Sequence, residues 1–136
     1  MALKEVITEL DVTQLKALQL NMTGGIIIIK FGAEWCGPCK KIAPLYTKYI
    51  SSNPTNILFC DIDVDTNLDL YIALKKQKMI TGIPVFLAFF GDVKRENWFI
   101  PDDSVIGADE KEVTNFFKRC SAKALGLLES NYTYYS

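Results

Sequence analysis

The stretch Trp35-Cys36-Gly37-Pro38-Cys39-Lys40 is the most informative part of this 136-residue chain. Two cysteines separated by two residues can close a small disulfide ring and exchange two electrons with another disulfide. A Gly-Pro spacer suits the first turn of a helix, because proline has a preset φ and lacks the N–H group that such a turn leaves unpaired. A cysteine at this position faces the positive end of the helix dipole, which favours its thiolate. The stretch therefore predicts a redox-active pair, Cys36 and Cys39, at the N-terminus of a helix.

A metal site is the alternative interpretation of the two cysteines. A tetrahedral metal site needs four ligands, whereas the chain contains no histidine and its other cysteines, Cys60 and Cys120, are isolated in the sequence. We therefore expect no metal. Cys60 and Cys120 are expected in the core as small hydrophobic residues, with a regulatory or dimer disulfide as the less favoured interpretation.

Composition limits the classes of function. A chain of 136 residues that is 49% hydrophobic and 23% charged suits one soluble domain with its own core. The formal net charge of −1 provides no basic field for nucleic acid. The longest apolar runs, near 26–29 and 83–90, are too short to span a bilayer. Residues 1–5 lack the pattern of a signal peptide, so we expect a cytoplasmic protein, in which a C-x-x-C motif is more often redox-active than structural.

Apolar periodicity predicts that strands and helices alternate along most of the chain. Helices are expected after the capping residues Asp11 and Asp109, over about 67–78, and from the cysteine motif through Pro44, which should kink that helix. Strands are expected within 5–10, 26–31, 56–65 and 83–90, and a further strand within 93–106, around 98–100. The alternation favours parallel pairing first and a hairpin last. We therefore predict an α/β fold, a central mixed sheet flanked by helices on both faces, as a single domain over 1–128 with a C-terminal tail at 129–136.

Lys30 interrupts an otherwise apolar run. Residues 26–31 are four isoleucines followed by Lys30 and Phe31, a pattern typical of a central strand that is buried on both faces. A charge in such a strand costs several kcal/mol unless it is paired or neutralised. One interpretation is that the lysine side chain extends to water at the end of the strand.

The chain resembles the thioredoxins over about residues 4–120. The segments that carry the resemblance are 33–40, Pro44, Asp63-Val64-Asp65, Gly82-Ile83-Pro84 and 105–108. The W-C-G-P-C-K string followed by a downstream Ile-Pro is highly specific to this family. The resemblance implies a thioredoxin fold and a protein-disulfide oxidoreductase that reduces its targets by dithiol–disulfide exchange.

The resemblance also implies roles for individual residues. Cys36 is expected to be the exposed nucleophile, and Cys39 the buried resolving thiol. Substrate would bind to the residues around them, with Pro84 in the cis form: Trp35, Gly37, Pro38, Ile83, Pro84 and Gly107. The expected partners are disulfide-containing protein substrates and a thioredoxin reductase that recharges the pair. No cofactor, nucleic acid or membrane is expected to bind, and a monomer is expected.

Two positions depart from the family pattern as a pair. Lys30 stands where the family usually has a buried aspartate that helps to take the proton from the resolving cysteine. Asp61 stands where many bacterial members have a lysine, so the resemblance indicates a charge-swapped pair on neighbouring strands. A neutral Lys30 could accept the proton of Cys39, whereas a charged Lys30 would stabilise its thiolate. The other interpretation is a purely structural lysine.

Two segments are longer than the family pattern implies. The predicted helix at 67–79 carries Lys75, Lys76 and Lys78, which we interpret as a solvated face rather than a docking surface for an acidic partner. The segment 94–104 carries Trp98 and Phe99. We expect it at the edge of the sheet rather than on the rim of the active site.

Two other functions fit the same motif. A cation near the cysteines, in place of the aspartate, could stabilise the reduced form and raise the reduction potential. That change would favour a disulfide oxidase or isomerase. A non-enzymatic interaction module is the third possibility, and the intact C-G-P-C sequence argues against it.

Overall fold

The computed structural model describes residues 5–52 and 56–135. These residues form five strands and four helices. In chain order the elements are β1 (Val6–Ile7), α1 (Val12–Asn21), β2 (Ile26–Gly32), α2 (Gly37–Ser52), β3 (Ile57–Asp63), α3 (Leu68–Lys76), β4 (Val85–Phe90), β5 (Asp103–Ile106) and α4 (Glu110–Tyr135). The segment Ser51-Ser52-Asn53-Pro54 predicts a break in the chain after α2, and its residues 53 and 54 lie outside the described residues.

The strands form one mixed sheet in the order β1-β3-β2-β4-β5. Strands β1, β3 and β2 are parallel, whereas β4 is antiparallel to β2 and β5 is antiparallel to β4. The predicted parallel first half and the antiparallel pairing of the last two strands are both confirmed. Strand β2 is central and every one of its residues is buried, as the isoleucine run indicated.

The central strand contributes to two hydrophobic clusters, one on each face of the sheet. One cluster contains Ile27, Ile29 and Phe31 of β2 together with Leu15 of α1 and with Leu70 and Leu74 of α3. The other contains Ile26 and Ile28 of β2 together with Ile42 and Tyr46 of α2 and Phe116 of α4. Because successive strand side chains point to opposite faces, one apolar run packs against both layers of helices. The predicted architecture is confirmed.

The two predicted helix caps are present. The Asp11 carboxylate accepts a hydrogen bond from the Gln14 backbone N–H at 2.7 Å, and the Gln14 side chain accepts one from the Asp11 N–H at 2.9 Å. The Asp109 carboxylate accepts a bond from the Glu112 N–H at 3.0 Å. Each carboxylate satisfies an N–H group that the first helical turn leaves unpaired.

The last helix packs along the face that its sequence indicates. Its buried residues include Val113, Phe116, Phe117, Cys120, Ala124 and Leu127. The helix continues to Tyr135, so the predicted tail is helical up to that residue, and Ser136 lies outside the described residues. The segment contains no proline, and its single glycine, Gly126, costs only about 1 kcal/mol in a helix. No helix in 5–52 or 56–135 combines the length and the apolar character needed to cross a membrane.

The fifth strand lies within 93–106 as predicted, but its expected position around residues 98–100 is wrong, because it spans Asp103–Ile106. The segment between β4 and β5 instead folds into a loop around a partly buried ion pair between Arg95 and Asp102. The Asp102 carboxylate also accepts the Phe90 N–H at 2.7 Å, and Arg95 donates to the Ile100 carbonyl at 2.6 Å. Pairing with β4 starts only after Pro101, a residue that cannot donate a ladder hydrogen bond.

This loop lies at the end of the sheet opposite to the cysteine motif. In the antiparallel register of β2 and β4, Phe90 is opposite Ile26, whereas the cysteine motif follows the other end of β2. Trp98 and Phe99 pack against the core, and the Gln19 side chain donates to the Trp98 carbonyl at 2.8 Å. The interpretation of this segment as an edge element rather than an active-site rim is therefore confirmed.

Candidate active site

The cysteine motif lies where the central strand turns into helix α2. Strand β2 ends at Gly32, and the helix begins at Gly37, one residue after Cys36. The Cys36 carbonyl accepts the Lys40 N–H at 3.2 Å, so Cys36 is the N-terminal flanking residue of the helix. The backbone N–H of Cys39 donates to the Cys36 sulfur, also at 3.2 Å. A helix N-terminus thus directs an N–H group at this sulfur, which favours its thiolate.

Cys36 and Cys39 form a disulfide, with their Cα atoms 5.2 Å apart. The expectation that Cys36 is exposed is wrong for this oxidised form, since Cys36 is 5% and Cys39 4% exposed. The bond holds the Cys36 sulfur against buried Cys39, and the Ile83 carbonyl oxygen lies 4.0 Å from that sulfur. The two cysteines therefore differ in their backbone environment rather than in exposure.

Two further segments meet the cysteine motif. The Ile83–Pro84 peptide bond is cis, and the Pro84 carbonyl accepts the Gly107 N–H at 2.8 Å. Gly107 has a φ of +94°, a conformation that favours glycine. A Cβ atom at Gly107 or at Gly37 would meet no atom within 4 Å, so both glycines leave open space.

Trp35 is held beside the motif without being part of the core. Its side chain is 69% exposed, which excludes simple packing as its role. The indole N–H donates to the Asp65 carboxylate at 2.8 Å. Asp65 follows β3, and its own N–H donates to the Asp63 carboxylate at 2.8 Å. Sequence reasoning noted this Asp-Val-Asp segment but did not predict that Asp65 positions the tryptophan.

Lys30 and Asp61 are direct neighbours in the sheet, as the charge-swapped pair requires. They are register partners on β2 and β3, and the Lys30 Nζ lies 3.6 Å from an Asp61 oxygen. The Lys30 side chain is only 7% exposed, whereas that of Asp61 is 46% exposed. The Lys30 Nζ also lies 5.9 Å from the centre of the Tyr46 ring. The ammonium is therefore directed across to the next strand and remains largely shielded from water.

Lys30 and Cys39 flank a gap at Gly32. A Cβ atom on Gly32 would lie 3.3 Å from the Cys39 sulfur and 3.7 Å from the Lys30 Cε. A surface cavity of about 470 Å³ is lined by Lys30, Gly32, Cys39 and Asp61 among others. Sequence reasoning missed Gly32, although a glycine at the end of a buried strand, two residues after a lysine, is a signal of close approach.

The remaining cysteines are poorly suited to exchange. Cys60 and Cys120 are free thiols that are buried in the core, as predicted. Burial raises the pKa of each thiol to about 12, with smaller effects from Asp61 on Cys60 and from Asp103 on Cys120. Since the thiolate is the reactive form, neither residue competes with the Cys36–Cys39 pair.

The family model described as thioredoxin matches residues 6–117. This chain belongs to the thioredoxin family. As in other thioredoxins, a pair of cysteines forms the redox centre, here Cys36 and Cys39, and the protein is a thiol–disulfide oxidoreductase.

Individual thioredoxins agree with this assignment. Thioredoxin H4-2 of Oryza sativa subsp. japonica is 33% identical over 108 residues, which cover 79% of this chain and 73% of that protein. The crystal structure of Malassezia sympodialis thioredoxin is 27% identical, with a TM-score of 0.62 over 89% of this chain and 96% of that one. A third match is a structure from work on thiol resolution in a yeast mitochondrial 1-Cys peroxiredoxin via glutathione/thioredoxin systems. It is 29% identical, with a TM-score of 0.63, and covers 83% of this chain and 94% of that one.

Proposed function

We propose that this thioredoxin reduces protein disulfides in the cytoplasm. The Cys36 thiolate attacks one sulfur of the target disulfide, forms a mixed disulfide, and releases the second target sulfur as a thiolate that takes up a proton. Cys39 loses its proton and attacks the Cys36 sulfur, which restores the Cys36–Cys39 bond and releases the first target sulfur. The observation that carries this order is the Cys39 N–H donating to the Cys36 sulfur at the start of α2.

Substrate binding is proposed at the open surface around the disulfide. An extended target segment would lie along Ile83 and Pro84, where the Ile83 carbonyl is already 4.0 Å from the Cys36 sulfur. The surface around the disulfide is open at Gly37 and Gly107, which have no side chain that could obstruct a target. Two exposed residues, Pro38 and Trp35, border it. Recognition through backbone groups demands little of the target sequence. This feature supports a broad range of protein substrates.

The oxidised pair needs a source of electrons. We propose that a thioredoxin reductase recharges the protein and that a monomer performs the exchange. Peroxiredoxin disulfides are a proposed class of target, supported by the likeness to the structure from the yeast peroxiredoxin work. A dithiol catalyst has to be kept in its reduced form, and the cytoplasm is a reducing compartment, which supports placement there.

Turnover of a protein disulfide tests this function. With dithiothreitol as the electron source, the wild-type protein should accelerate insulin reduction many-fold over dithiothreitol alone. Cys36→Ser should abolish the acceleration, whereas Cys120→Ala removes a buried thiol far from the motif and should retain it. A wild-type protein that adds nothing to the rate of dithiothreitol would contradict catalysis and favour a non-enzymatic module.

A disulfide oxidase or isomerase is the second candidate, and the buried Lys30 beside Cys39 favours it. A cation near a thiolate stabilises the reduced form and makes the pair more oxidising. Equilibration of the pair with defined thiol buffers separates the two directions. A reductase requires a potential near the reducing end of the oxidoreductase range, and an oxidase or isomerase requires a clearly higher one.

A further inference from the structure

Among the residues that the structure describes, Lys30 is the one charged residue that is buried. A buried ammonium is stable only with a negative partner or a rich set of acceptors. In the oxidised protein Asp61 supplies that charge at 3.6 Å. Because the Asp61 side chain is 46% exposed, water screens its charge far more than that of Lys30. The pair therefore leaves a net positive potential on its buried side.

Cys39 is buried and lies close to Lys30. Both the Lys30 Cε and the Cys39 sulfur come within 4 Å of the place that a Gly32 Cβ would occupy, and no side chain fills that place. Opening the disulfide adds two electrons, which reside on the two sulfurs until each accepts a proton. A negative charge on the Cys39 sulfur can therefore arise only in the reduced protein. An interaction that exists only in the reduced form shifts the redox equilibrium toward it.

We propose that Lys30 and Asp61 are opposed positioning residues that set the reduction potential of the Cys36–Cys39 pair. Lys30 raises the potential by stabilising the Cys39 thiolate. Reduction of the disulfide takes up two electrons in either case, and a Cys39 thiolate means that it takes up one proton fewer than a Cys39 thiol would require. Asp61 lowers the potential because it partly neutralises Lys30. This assignment rests on the proposed exchange function of the same cysteines. The reduction potential determines how strongly the pair reduces its targets.

The decisive consequence is that the two neutral substitutions act in opposite directions. Lys30→Met removes the charge that stabilises the thiolate, while Asp61→Asn leaves that charge uncompensated. A lysine that only fills space would move the potential in neither case. The other charged residues around the cavity, Glu9, Glu34, Lys40 and Asp63, are unchanged in both variants.

The experiment equilibrates each protein with defined ratios of reduced and oxidised dithiothreitol at pH 7, and alkylation followed by intact mass gives the reduced fraction. Lys30→Met should lower the equilibrium constant for reduction about tenfold, the order of magnitude for one charge that Asp61 and water partly screen; for two electrons this is about 30 mV. Asp61→Asn should raise the constant at least twofold. Lys48→Met removes an exposed lysine of helix α2 and should change it less than twofold.

Shifts of Lys30→Met and Asp61→Asn in the same direction, or changes below twofold in both, would overturn the proposal and leave Lys30 with a structural role. If Lys30→Met does not fold, the direction of the Asp61→Asn shift alone decides. The measurement needs only exchange with a small dithiol. A wild-type protein that equilibrates normally but does not reduce insulin would therefore contradict the proposed function without deciding this inference.

Discussion

The carboxylate of Asp102 stabilises the loop between β4 and β5, and the substitution Asp102→Asn measures how much stability it contributes. The side chains of Arg95 and Asp102 are 12% and 16% exposed, so their ion pair is largely shielded from water. Asparagine can still accept the Phe90 N–H, but it leaves the arginine without a countercharge, and arginine cannot give up its proton. Removing one partner of a buried pair costs about 3–5 kcal/mol. We expect about 3 kcal/mol, because Arg95 keeps its bond to the Ile100 carbonyl.

Urea denaturation measures this loss. With a slope of about 2 kcal/mol per molar urea, the midpoint should fall by about 1.5 M. The matched control is Asp103→Asn, one residue later. Asp103 pairs with Arg119, whose side chain is 51% exposed, so its loss should cost less than about 1 kcal/mol.

Two results would refute this reasoning. A midpoint for Asp102→Asn that equals that of Asp103→Asn would mean that water reaches the Arg95–Asp102 pair. Reduced disulfide exchange by the folded Asp102→Asn protein would mean that the loop influences the active site. The structure predicts unchanged exchange, since the loop lies at the opposite end of the sheet from Cys36.

Three other predictions concern the thiols and the rim of the site. At pH 8 a small alkylating reagent should modify reduced Cys36 in the native protein, and mass spectrometry should find Cys60 and Cys120 unmodified until urea is added. Since burial raises the pKa of both from 9.0 to about 12, the unfolded chain ionises them first, and the free energy of unfolding should fall as pH rises above 9.0. Gly107→Ala should cost about 1–2 kcal/mol in urea denaturation through its φ of +94° and should slow insulin reduction. Gly82→Ala would add only an ordinary contact at 3.7 Å and should cost less than about 0.5 kcal/mol; equal losses would contradict the backbone argument.

Most of the architecture could be predicted because local pattern and burial agree. The isoleucine run of β2 is buried on both faces, and the Asp11 box starts α1 where its residues indicate. The fifth strand could not be placed, because Trp98 and Phe99 resemble strand residues by composition. They lie instead in a loop that contains the Arg95–Asp102 pair, a contact between side chains that periodicity does not encode.

The site was predictable to the extent that it is local in sequence. The motif alone places Cys36 before the helix, and the family resemblance indicates that Lys30 and Asp61 are neighbours. The approach of the Ile83 carbonyl oxygen to within 4.0 Å of the Cys36 sulfur joins residues that are 47 positions apart, so the local motif does not predict it. The gap at Gly32 likewise depends on how closely the end of β2 approaches Cys39 of α2, a tertiary contact that the sequence pattern does not show.

The separate roles of the two cysteines are tested most directly by trapping the intermediate. Cys39→Ser, reduced and mixed with a protein that carries a single disulfide, should accumulate a covalent one-to-one adduct, seen by intact mass and released by dithiothreitol. Cys36→Ser under the same conditions should form none. Equal adduct formation by both variants, or its absence from Cys39→Ser, would contradict the account of Cys36 as nucleophile and Cys39 as the resolving thiol.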